Sequence, residues 1–97
     1  MNLFDDIRAA VLTALETMQT AGELPADLDF ANVAVEPPRD AAHGDMATNA
    51  AMVLAKPAKM KPRDIADALA VHLVSDARIE SAEVAGPGFL NMRLAVT

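Results

Sequence analysis

Along Gly86-Pro87-Gly88-Phe89-Leu90-Asn91-Met92-Arg93-Leu94, an aromatic ring, an amide and a guanidinium recur at every second residue. In an extended chain Phe89, Asn91 and Arg93 share one face, and Leu90, Met92 and Leu94 share the other. The apolar face is core. A ring can stack on a nucleobase, an amide can hydrogen-bond a base edge, and a guanidinium can hold a phosphate. An ordinary solvent face would carry Lys, Glu and Thr. The strand alone also admits a plainer reading, in which Phe89 caps the core beside the Gly86-Pro87-Gly88 corner and Asn91 satisfies local backbone.

A second chemical feature is the basic cluster Lys56, Lys59, Lys61 and Arg63. It surrounds Pro62, a favoured first residue of a helix. Such a cluster is either a solvated loop or a set of phosphate contacts assisted by free N–H groups at the helix start. His43 and Asp45 stand two apart and can be drawn as an acid–base pair. Proton transfer also needs a third orienting group and a pocket, so a turn beside a helix cap accounts for them more simply. His72 reads as a half-buried packing residue, because no second ligand stands at metal-binding spacing. The sequence holds no phosphate-binding Walker loop, dinucleotide fingerprint or nucleophile elbow.

Composition narrows the classes further. The 97 residues are 53% hydrophobic, which suits one globular domain with a modest core rich in Ala and Met. The absence of Cys excludes a disulfide framework, a thiolate nucleophile and Cys-based metal sites. The first residues lack the basic region of a secretory signal, and the longest apolar run, Ala50 to Ala55, is too short to cross a membrane. A cytoplasmic setting without a membrane partner is expected. Net charge is −6, but residues 1–42 carry eight acids and two bases, whereas residues 43–97 carry six of each. This balance argues against a tight stand-alone nucleic-acid binder, and it allows a weak contributor with a local basic patch; no DNA partner is expected.

The spacing of Leu3, Phe4, Ile7, Val11, Leu15 and Met18 predicts a helix from Leu3 to Thr20, capped by Asn2 and stopped by Gly22 and Pro25. Asn32 to Glu36 reads as a strand with Val33 and Val35 on one face, ended by Pro37-Pro38. Gly44 permits a tight turn and Asp45 reads as the cap of a buried helix from Met46 to Ala55, ended by Pro57. Pro62 opens a third helix to about Val74. Glu80 to Ala85 alternates and leads through the glycine corner into the last strand. The expected fold is α+β: a small, mainly antiparallel sheet of three to four strands with about three helices packed on it.

Two stretches carry a family resemblance. His43-Gly44-Asp45-Met46-Ala47-Thr48-Asn49-Ala50-Ala51 resembles the Gly-Asp-x-Ala-Thr-Asn-x-Ala signature near the start of arginyl-tRNA synthetases. Gly86-Pro87-Gly88-Phe89-Leu90-Asn91 resembles the run that closes the same N-terminal domain, and Val35-Glu36-Pro37-Pro38 fits the family's strand before the loop. The resemblance covers essentially the whole chain. It implies that residues 1–97 are a single accessory domain of a class I synthetase, which joins arginine to its tRNA with ATP and Mg²⁺. It further implies that the catalytic domain lies outside this chain, and that these residues hold no cofactor or metal and do no catalysis alone. The family's aromatic and amide that hold a D-loop base match Phe89 and Asn91. Arg93, Lys56, Lys59, Lys61 and Arg63 are added as phosphate contacts on charge alone. Gly44, Asp45, Asn49, Gly86 and Gly88 are expected to be structural. The alternative is a protein–protein docking module without RNA contact.

Overall fold

The computed structural model describes residues 3–37 and 44–95. Helix α1 spans Leu3–Thr20, as its apolar spacing predicts, and buries Ile7, Ala10, Val11, Ala14, Leu15 and Met18. Strand β1 is Val35–Glu36 and β2 is Met46–Thr48. Helices α2 (Ala50–Ala58) and α3 (Pro62–Leu73) follow, then β3 (Ile79–Ala85) and β4 (Phe89–Leu94). The sheet is antiparallel throughout, in the order β1-β2-β4-β3. Helices α2 and α3 lie against β4, α3 also touches α1 and β3, and α1 reaches β1. Leu90 and Met92 of β4 are fully buried in the core between sheet and helices.

Three expectations are corrected. Met46-Ala47-Thr48 is a strand, not the first turn of a helix. All three residues are buried, so no alternation marks them as extended. Pairing with the central strand β4 decides the matter: Met46 faces Met92, Ala47 faces Asn91 and Thr48 faces Leu90. Asp45 is therefore no helix cap. Asn49 holds the cap position of α2, without a side-chain cap bond, and Thr48 Oγ1 accepts the Ala50 amide at 3.2 Å instead. Second, Pro57 does not end α2. The helix continues to Ala58 and stops at Lys59, whose backbone is left-handed at φ 57°.

Third, the strand expected over Asn32–Glu36 shrinks to Val35–Glu36. The polar groups of Ala34 are taken up chiefly by side chains, its carbonyl also accepting the Asn49 backbone N–H at 3.4 Å. Its N–H donates to Asn49 Oδ1 at 2.8 Å, and its carbonyl accepts from Thr48 Oγ1 at 2.9 Å. Arg8 ties down the same segment, donating from Nε to the Val33 carbonyl at 2.9 Å. The proposed cap Asn2 and the residue His43 lie outside the described residues.

Candidate nucleic-acid interface

The site grows from the central position of β4. Paired on both sides, this strand presents its odd-numbered residues on the face turned away from the helices. Phe89 is 39% exposed there, Asn91 is half-buried and Arg93 is exposed. Their cross-strand partners are Ala85 for Phe89, Glu83 for Asn91 and Ser81 for Arg93. On the other flank Asn91 faces Ala47, which faces Glu36. Directly opposed residues share a face, so Glu36, Ala47, Asn91 and Glu83 form one row across the sheet. Ala47 leaves room beside the amide. The two carboxylates flank it, and they disfavour a phosphate at this end of the surface.

The basic cluster sits at the other end. Gly88 packs so closely on the start of α3 that a Cβ there would stand 2.6 Å from Cβ of Pro62 and 3.3 Å from Cγ of Met52. Arg63 closes the junction by donating from Nη1 to the Gly86 carbonyl at 3.1 Å. Arg63 is thus a brace between α3 and the hairpin corner, a role its charge did not suggest. Lys61 directly precedes Pro62 in extended conformation, and Lys56 and Lys59 are exposed on α2 and at its C-terminal end. The tertiary fold therefore packs the α2–α3 link against the Gly86-Pro87-Gly88 corner, from which the strand bearing Phe89 starts. An aromatic ring and an amide run along the strand, with the basic link at the corner where it begins and two carboxylates in the row of the amide.

The expected structural residues take defined roles. Gly44 is buried at φ 137°, and a Cβ there would meet the Met92 carbonyl oxygen at 2.7 Å. Asp45 N–H donates to that same carbonyl oxygen at 2.8 Å, and Asp45 Oδ2 accepts the Leu94 amide at 2.9 Å. The Gly44-Asp45 pair thus locks β2 onto β4, the strand that carries Phe89 and Asn91. Asn49 fastens the chain before β1 through Ala34 and, at 3.4 Å, the Asn32 carbonyl. Gly86 turns the corner at φ 59°.

Hydrolytic chemistry finds no support in these side chains. Asp45 has one carboxylate oxygen committed to backbone. His72 Nε2 and Glu23 Oε1 stand 2.8 Å apart, a contact that joins α3 to the turn after α1. Among the described residues no three of His, Cys, Asp and Glu come together to hold a metal ion, and no helix is long and apolar enough to cross a membrane. A groove lined by Ala10, Thr13, His72 and Asp76 lies between α1 and the end of α3, on residues separate from the β4 row. The residue that sequence reading missed is Met52, placed beside Gly88 at the rim of the site. Its place four residues before Lys56 in α2 was the available signal.

The family described as arginyl tRNA synthetase N terminal domain matches residues 5–94. The arginine–tRNA ligase of Paracoccus denitrificans is 77% identical over 94 residues, which are 97% of this chain and 16% of that protein. The arginine–tRNA ligase of Roseobacter denitrificans is 73% identical over 97 residues, all of this chain and 17% of that protein. The chain thus spans about a sixth of the length of these relatives. Among solved structures, arginyl-tRNA synthetase of Thermus thermophilus superposes with a TM-score of 0.72 at 26% identity, over 97% of this chain and 14% of that one. The Plasmodium falciparum enzyme superposes at 0.75 with 12% identity over 96% of this chain and 16% of that one, a likeness of fold alone.

Proposed function

The chain belongs to the arginyl-tRNA synthetase N-terminal domain family, and on that premise we propose that it is a tRNA-binding module. In this reading it meets the D-loop at the outer corner of the tRNA and supports ATP-dependent arginylation by a longer, cytoplasmic enzyme. The observation that carries the reading is the outer face of β4, where Phe89 and Asn91 lie on the strand that leaves the corner packed on the basic α2–α3 link. Phe89 stacks on an unpaired base, and Asn91, with both a donor and an acceptor, reads its edge. Lys56, Lys59 and Lys61 take phosphates, Arg93 adds a cation along the strand, and Arg63 holds the corner in place.

In this reading the ATP and Mg²⁺ of the reaction are handled by the remainder of the enzyme. Stacking one base is worth on the order of 1–3 kcal/mol, so affinity of these residues alone is low.

The test is an NMR titration of the chain at low salt with a D-arm hairpin of an arginine tRNA, repeated with one D-loop base swapped. Shifts at Phe89 and Asn91 that depend on the base are expected. Shifts confined to the lysines and blind to the base reduce the module to a phosphate clamp. An unperturbed spectrum overturns RNA recognition in favour of protein docking.

A further inference from the structure

Strand β3 lies at the edge of the sheet, and its Glu83 stands directly opposite Asn91 on the face turned away from the helices. Directly opposed side chains start about 5 Å apart, close enough to share one base edge. On the other flank Asn91 opposes Ala47, which carries no polar group. Glu83 is exposed and Asn91 half-buried, and among the described residues no hydrogen bond or ion pair engages either side chain. An edge strand gains from a charge that deters pairing with another chain. Glu80, exposed at the irregularity between Ile79 and Ser81, already supplies one. The Glu83 carboxylate beside the amide is thus left without a structural task.

The surroundings of this couple suit a planar ring. Phe89 stands about 7 Å along β4 from Asn91, and its own cross-strand partner is Ala85. Small residues at 47 and 85 keep the face low beside the ring and the amide. The two polar side chains make different demands of a base edge. An amide both donates and accepts, whereas an ionised carboxylate only accepts. An exocyclic amino group meets both: one N–H goes to Asn91 Oδ1, the other to Glu83, and the neighbouring ring nitrogen takes the Asn91 N–H. Uracil has a single N–H between two carbonyl oxygens. Once that edge pairs with the amide, a carbonyl oxygen is left against the carboxylate.

We propose that Glu83 is a specificity residue of the β4 face: its carboxylate accepts an exocyclic amino N–H of the base stacked on Phe89, so the site takes amino-bearing bases and disfavours uracil. The proposal rests on the tRNA-binding reading above. Glu36 is the internal control. It lies in the same row beyond Ala47, about 10 Å from Asn91 across two strand spacings, so its charge acts on the whole RNA and not on one base edge.

The experiment titrates the chain with D-arm hairpins of an arginine tRNA, read by NMR at low salt. An abasic scan first finds the D-loop position on which the Phe89 response depends. That position is then made cytosine or uracil, and adenine or purine lacking its amino group. The native chain should bind the amino-bearing member of each pair about three- to tenfold more tightly, the range of one hydrogen bond. Glu83→Gln should lower both ratios about threefold or more, because its amide also donates to a carbonyl oxygen. Ratios cancel the uniform gain that loss of a negative charge gives to every hairpin, so Glu36→Gln should leave them unchanged. Native ratios retained in Glu83→Gln overturn the inference and leave the tRNA reading standing. So does a native chain that binds uracil as tightly as cytosine, or an equal fall in Glu36→Gln. A Phe89 signal unmoved by any hairpin, or moved alike by every abasic one, overturns both readings.

Discussion

Asp45 Oδ2 accepts the backbone amide of Leu94 at 2.9 Å, across 49 residues of sequence. One residue beyond the end of the β2–β4 ladder, a side chain thus takes over the work of a strand. With the Asp45 N–H bound to the Met92 carbonyl, this single residue holds the last turn of pairing on the strand that bears Phe89 and Asn91. Asp45→Ala should therefore destabilise the domain by about 1–2 kcal/mol, read as a lower urea midpoint. A midpoint equal to that of the native chain refutes the assignment.

Gly44→Ala is expected to cost more. The new Cβ would meet the Met92 carbonyl oxygen at 2.7 Å, at a φ of 137° that L residues rarely adopt. Strain and overpacking together predict a loss of about 2–4 kcal/mol. Circular dichroism melts of the two variants should place Gly44→Ala below Asp45→Ala.

Arg63 and Lys56 separate bracing from phosphate contact. Each phosphate contact to a single strand contributes about 0.7 to the slope of log affinity against log salt. Lys56→Ala should reduce that slope by one such step. Arg63→Ala removes the bond to Gly86 and should weaken hairpin binding with the slope unchanged. A reduced slope for Arg63→Ala would make it a direct phosphate ligand.

Lys59 occupies a left-handed position at φ 57° that favours glycine. Lys59→Gly should raise stability by about 1 kcal/mol and weaken RNA binding through the lost cation. Denaturant titration and salt-dependent binding of the same variant read the two effects, and a variant both more stable and equal in affinity excludes Lys59 from the interface.

The Arg78 side chain donates to both carboxylate oxygens of Asp76, at 3.0 and 2.8 Å. That hydrogen bonding, then the bond from the Arg78 backbone N–H, holds the Asp76 carboxyl below its ordinary value. A lowered folded value stabilises above the unfolded pKa of about 3.9 and is lost as pH falls through the folded value. Stability of the native chain should exceed that of Arg78→Ala at pH 7, with the gap narrowing as pH is taken down to about 2. A gap that persists at the acid end contradicts an ionic origin.

Local patterns were sufficient where one face is buried and the other wet. Such faces gave α1 its span from Leu3 to Thr20, and they fixed which side of β4 carries Phe89 and Asn91 before any partner strand was known. The glycines of the corner and the two family stretches were equally legible, because turn chemistry and motif spacing are properties of adjacent residues. Met46-Ala47-Thr48 was not legible. A strand buried on both faces shows no period, and alanine favours helices until a neighbouring strand supplies better hydrogen bonds. Nor could sequence show that Arg63 braces Gly86 or that Met52 stands beside Phe89's corner. Those relations join segments more than twenty residues apart, and only the closure of the β3–β4 hairpin onto the α2–α3 junction brings them within contact.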